Sequence, residues 1–175
     1  MSPRKTFWSA LAGLFSVASA CTQSPPQPVV PPVDLNVPVT NPRLVAAILK
    51  HQKAQTNETA AELFSELKAS VFLVAILLDK PPAQTSETQA LFKKGDKIAI
   101  VEVLDNNDNR LLALFTDHSE LKRFTNEANS TLVMPAKDAM TFVLEKEFAG
   151  LVVNPASEAT LRLDAAFIKD VIGKM

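Results

Sequence analysis

Two short stretches gather the polar side chains that chemistry would need. Phe115-Thr116-Asp117 sets a hydroxyl and a carboxylate beside an aromatic ring, and Asn154-Pro155 is followed by Ser157-Glu158. If Thr116, Asp117, Asn154 and Glu158 met at the ends of neighbouring strands, they would form a polar pocket able to bind a small ligand or to move a proton. The alternative is structural: Phe115 packs in a sheet, Thr116 or Asp117 caps the next helix, and Asn154-Pro155 starts a turn. A third stretch, Asp105-Asn106-Asn107-Asp108-Asn109, puts side-chain oxygens at positions 1, 3 and 5 of a calcium loop. Arg110 then stands where that loop requires Gly and Thr116 where it requires Glu, so the stretch is expected to be a hairpin turn.

The remaining candidates carry less. His51 and His118 are expected at the surface, because neither has a His, Cys or carboxylate at a metal-ligand spacing. Glu145 and Glu147 read as solvated charges, and the four glycines leave no phosphate-binding loop or nucleophile elbow. No metal and no cofactor is expected. The one thiol in the chain, Cys21, cannot close an intramolecular disulfide, so its chemistry must lie elsewhere.

Hydrophobic periodicity shows which elements would position these groups. Asn41 is expected to cap a helix with Pro42 at its first position, with Leu44, Val45, Ile48 and Leu49 on one face to Lys53. Asn57 is the expected cap of a second helix, running to about Ala69. Residues 71–78 are a continuous apolar run, as befits a central strand buried on both faces. Lys80-Pro81-Pro82 ends it, and a polar loop is expected to reach Gly95. Strands at 98–104 and 111–115 then flank the Asp/Asn turn. Asp117 or Thr116 begins a helix to about Asn126, with Glu120 placed to reach back to its start and Leu121 and Phe124 inward.

A strand at 131–134 follows, then a helix opened by Pro135, with Ala139, Met140, Val143 and Leu144 inward and Gly150 near its end as a stop signal. Short strands at 151–153 and 160–163 flank the Asn154-Pro155 turn. Asp164 caps a last helix, in which Phe167, Ile168, Val171 and Ile172 pack. The order ααβββαβαββα predicts a single α+β domain over residues 43–175, with one mixed, largely antiparallel sheet and packed helices.

Residues 1–20 have the form of a secretory signal. Arg4 and Lys5 are the positive start, residues 7–17 an apolar stretch broken only by Ser9 and Ser16, and Ala18-Ser19-Ala20 the small residues before cleavage. The apolar stretch is shorter than the roughly 20 residues that a membrane-spanning helix needs. Val17-Ala18-Ser19-Ala20-Cys21 resembles a bacterial lipobox, with Ala18 where that motif prefers Leu. The resemblance implies that Cys21 becomes an acylated N-terminus. Each buried CH₂ contributes about 0.8 kcal/mol, so two or more acyl chains would hold the protein to a membrane. Cleavage after Ala20 without lipid, giving a soluble periplasmic protein, is the alternative. Where lipoproteins are sorted as in enteric bacteria, Thr22 after the cysteine implies the outer membrane, facing the periplasm.

Residues 22–42 hold seven of the 12 prolines. Such a segment favours extended polyproline II at about 3.1 Å per residue, a tether of at most roughly 65 Å. From Arg43 onward 16 basic residues stand against 18 acidic ones, so the net charge there is 16 − 18 = −2, and the basic residues are scattered. That distribution argues against nucleic-acid binding.

The part after the tether resembles the SseB N-terminal domain family over roughly residues 43–172. The likeness rests on the leading helix pair, the apolar strand at 71–78, Leu112 to Phe115 running into Thr116-Asp117, and the strand ending at Pro135. It rests also on Gly150-Leu151-Val152-Val153-Asn154-Pro155 before Ser157-Glu158. The chain departs from its relatives in lacking a Gly in the hairpin before Phe115 and in carrying an export signal where they look cytoplasmic. The resemblance implies a fold and brings no catalytic residue with it. A non-enzymatic envelope lipoprotein whose domain binds an unknown protein partner is therefore expected. The alternative is a ligand-binding protein or enzyme with its pocket at Thr116, Asp117, Asn154 and Glu158.

Overall fold

The computed structural model describes residues 38–78, 83–86, 89–91, 98–126 and 130–173. The signal segment, Cys21 and residues 22–37 of the expected tether lie outside them, as do Lys80-Pro81-Pro82 and Gly95.

Two helices come first, α1 (Pro42–Lys53) and α2 (Asn57–Ala69). They lay Leu44, Ala47, Ile48, Leu63 and Leu67 into a common core. The cap of α2 is Thr56, where Asn57 was expected. Thr56 Oγ1 accepts from the Thr59 amide at 3.2 Å, while Thr59 Oγ1 accepts from the Thr56 amide at 3.2 Å. This is a reciprocal capping box with Thr in the place usually held by Glu. His51, expected at the surface, is half-buried, and its Nδ1 lies 2.9 Å from Thr59 Oγ1.

β1 (Val71–Leu78) is the central strand expected of its apolar run. It lies between β4 (Ile98–Ile100) and β7 (Ser130–Pro135), antiparallel to both. Its alternation serves two cores, which is why no polar residue interrupts it. Phe72, Val74 and Ile76 face the helices, and Leu73 and Ala75 face a second cluster containing Ala113, Phe115 and Leu121. Part of the expected polar loop after β1 is instead a strand pair, β2 (Ala83–Ser86) with β3 (Gln89–Leu91).

The strand expected at 98–104 is interrupted at Val101. β4 pairs with β1, Val101 N–H donates to Ala75 O at 2.9 Å, and β5 (Glu102–Leu104) pairs with β6 (Arg110–Leu114). The second sheet runs β5-β6-β8-β9, where β8 is Gly150–Val153 and β9 Leu161–Asp164. Its one parallel pair, β6 with β8, is bridged by α3 (His118–Phe124), β7 and α4 (Ala136–Glu145). The chain closes with α5 (Ala165–Ile172). Among the described residues the expected single sheet thus comes as the separate β2-β3 pair and two larger sheets. The larger two are stitched where Leu73 and Phe115 exchange both backbone hydrogen bonds at 2.9 Å. The α+β class is as expected.

Gly150 does not stop α4, which ends at Glu145; it is the first residue of β8. A Cβ there would collide with the Leu163 carbonyl oxygen and come within 2.9 Å of Asp164 Cα. The glycine is what lets β9 lie close across the start of β8. Pro135 likewise sits one place earlier than expected, as the N-cap of α4 and the last residue of β7.

Candidate functional site

Where β6 ends, the chain turns into α3; where β8 ends, it turns toward β9. Because β6 and β8 are parallel neighbours in register, these two exits lie side by side, and Thr116 meets Asn154. Both are fully buried, at 0 and 1 % exposure. A buried amide or hydroxyl without a partner costs about 1–3 kcal/mol, so such groups must satisfy one another. The Thr116 amide donates to Asn154 Oδ1 at 3.0 Å, and Asn154 Nδ2 donates to Thr116 Oγ1 at 2.9 Å. The Thr116 hydroxyl then has two acceptors in reach, Asp117 Oδ2 at 3.2 Å and Asn154 Oδ1 at 3.3 Å. Asp117 Oδ1 caps α3, accepting from the amides of Ser119 at 2.8 Å and Glu120 at 3.0 Å.

Asn154 has φ of 49°, in the left-handed region that Asn tolerates better than most residues. Its own amide donates to Leu114 O at 2.9 Å and its carbonyl accepts from Ser157 N at 3.1 Å, which makes the turn into the Pro155 segment. Asn41 joins from the other side. It precedes α1, as expected, but its side chain does not cap that helix. Nδ2 instead donates to Val71 O at 2.8 Å and to Thr116 O at 3.0 Å. No reading of the sequence near Asn41 pointed to this, since its partners lie 30 and 75 residues away.

The sequence-predicted site residues therefore divide. Thr116, Asp117 and Asn154 do converge, and Phe115 is buried beside them with its ring centroid 5.5 Å from that of Phe124. Their polar atoms are engaged with one another and with the backbone. Pro155 is half-buried and Glu158 is exposed, outside that network. A shallow cleft of about 380 Å³ lies beyond it, along His118, Lys122 and Thr131; another of about 300 Å³ lies at the start of α1, by Arg43, Glu66 and Ser70. Neither is lined by Thr116, Asp117, Asn154 or Glu158. The expected reach of Glu120 back to the helix start is not made: its Oε2 is buried with no hydrogen bond, and Oε1 lies 3.7 Å from Arg123.

The Asp105 stretch is the hairpin turn that its residues predicted. Asp105 Oδ1 accepts from the amides of Asn107 at 2.9 Å and Asn109 at 3.0 Å, and Oδ2 from Asn109 Nδ2 and from Arg162 on β9. These hydrogen bonds, from the Asn107 amide first, then from Asn109, with Arg162 adding to them, hold the Asp105 carboxyl far below the usual carboxylate range. The turn stands at the surface, yet its own backbone shields the carboxylate. Its oxygens are occupied by donors, and no group of three or more His, Cys, Asp or Glu able to hold a metal occurs among the described residues.

The family model described as the SseB protein N-terminal domain matches residues 44–170, well over half of the chain. No curated protein and no solved structure matches it.

Proposed function

The chain belongs to the SseB protein N-terminal domain family, and on that premise we propose that it is an envelope lipoprotein whose domain works by binding another protein. One observation carries the second half of this reading. The polar groups best placed to do chemistry, Thr116, Asp117 and Asn154, are consumed in a buried network that joins the exits of β6 and β8 to the start of α3. Glu158 stands apart in solvent. Such a constellation holds a surface in shape, which is what a binding module requires.

The first half rests on the sequence: an export signal, a small-residue run before the single Cys21, and a proline-rich spacer long enough to stand a domain off a membrane. The test is intact mass spectrometry of the membrane fraction, beside a Cys21→Ala variant. The expected result is a mature N-terminus at Cys21 carrying two or three acyl chains, with the variant unacylated. An unacylated protein released in soluble form would replace the lipoprotein reading with a periplasmic one. For the domain, crosslinking in intact cells should yield one dominant adduct that survives Glu158→Ala. Loss of function with unchanged stability in Thr116→Val would restore the pocket reading.

A further inference from the structure

Sheet edges present unpaired backbone donors and acceptors, and proteins guard them with charge, proline or cover. The described edges here are treated unequally. β9 carries Arg162, bonded to Asp105, and Asp164, which caps α5; β5 carries Glu102, paired with Arg110. The two outer strands beside β1 carry no charge: β4, Ile-Ala-Ile, and the longer β7, Ser-Thr-Leu-Val-Met-Pro.

The register shows which of its groups face outward. Leu73 exchanges hydrogen bonds with Phe115 on the side of β1 away from β7, so Leu73 and Val133 are a non-hydrogen-bonded pair. Alternation then turns the N–H and C=O of Thr131 and Val133 away from β1. Ala136 N–H donating to Ser70 O at 3.0 Å fits the same phase. Apart from the β1 ladder, neither Thr131 nor Val133 makes a backbone hydrogen bond among the described residues. Between them Leu132 is 39 % exposed, one of the few large apolar side chains left in solvent.

We propose that β7 pairs with β7 of a second copy of this chain, antiparallel about a twofold axis through Leu132. The strand is self-complementary in one register. Thr131 of each copy faces Val133 of the other, matching all four outward N–H and C=O groups per copy, and the two Leu132 side chains meet as a non-hydrogen-bonded pair. Such pairs bring Cα atoms to about 4.5 Å, the closest approach across a ladder. An isologous contact needs no second binding surface and closes on itself, giving a dimer with a continuous sheet β4-β1-β7-β7-β1-β4. The absence of charge on β7 favours a like strand as its occupant, since a charged edge would repel its own copy. The inference stands apart from the lipid anchor.

The test uses the full-length chain with Cys21→Ala, which makes any introduced thiol the only one. Under mild oxidation Leu132→Cys should convert to a disulfide dimer, because about 4.5 Å between Cα atoms is within disulfide range. Thr131→Cys should stay monomeric, its Cα atoms standing about 8 Å apart in this register. Without added cysteines, light scattering should give twice the 19.0 kDa chain mass, less any cleaved signal, and Leu132→Asp should restore the single mass while circular dichroism stays unchanged. Monomer at every concentration, or crosslinking of Thr131→Cys as efficient as that of Leu132→Cys, would overturn the proposal.

Discussion

Replacing Asn154 by Ala tests whether the buried network at the β6 and β8 exits is structural. The substitution strands the Thr116 amide, which no water can reach, at about 1–3 kcal/mol, and removes the bond to Thr116 Oγ1 at about 1 kcal/mol. It also places a Cβ without a helpful side chain at φ 49°, costing about 1 kcal/mol more. The expected loss is about 4 kcal/mol, a large share of the roughly 5–15 kcal/mol that hold a domain together. Urea unfolding followed by circular dichroism would show it as a lowered midpoint with unchanged slope. Asn154→Gly keeps the hydrogen-bond loss but relieves the backbone, so it should be no less stable than Asn154→Ala. Thr116→Val should cost about 1–2 kcal/mol, since the backbone amide keeps its acceptor. The double variant should lose less than the two singles together, because they share partners. A loss below about 0.5 kcal/mol in Asn154→Ala would rule out a structural role for the network. It would mean that the pair is held for a ligand at no benefit to the fold, as functional sites often are.

Other expectations follow from single positions. Gly150→Ala should cost about 3 kcal/mol or more, because the new Cβ meets backbone on β9 that cannot move without breaking the ladder; a shift in thermal midpoint of under 2 °C would contradict the close approach. Thr56→Ala should lower stability by about 1 kcal/mol and Asn57→Ala by far less, and the reverse ranking in the same urea assay would return the cap to Asn57. Asp105→Asn should destabilise the protein at neutral pH. The native carboxyl has a lowered pKa, so its contribution is present above the unfolded value of about 3.9 and disappears as the pH falls through the lower folded one. The gap between variant and wild type should therefore narrow in acid; a gap that widened below pH 4 would reverse the sign.

What could be read from the sequence was what local chemistry decides. Pro42 announced the start of α1 through its fixed φ, and Asp117 and Asp164 the caps of α3 and α5, because each of these two caps acts within three residues of itself. The apolar run at 71–78 announced a strand buried on both faces. Thr56 escaped because its partner is Thr59, a residue that does not mark a capping box as Glu does. The strand pair β2 and β3 escaped because Gln, Thr and Ser in short runs carry no apolar alternation. The interruption at Val101 and the packing need at Gly150 are set by partners far along the chain. Of the candidate site, the meeting of Thr116 with Asn154 was one of two readings of the strand ends, the other being separate caps and turns. That the two would be buried against each other, with Asn41 arriving from the first helix, was in neither.

The bonds made by Asn41 matter for how a force would enter the domain. Any pull on the chain ahead of α1 passes Val39, which packs against the second cluster, and then reaches Asn41, where it does not meet a helix end free to unwind one turn at a time. The side chain grips the carbonyls of Val71 and Thr116, at the start of the central strand and the end of β6. Load is thereby delivered to two strands at once, next to the bridge between Leu73 and Phe115 that ties the sheets together. A domain pulled by its first residues would in this way resist being peeled, with Asn41 as the rivet.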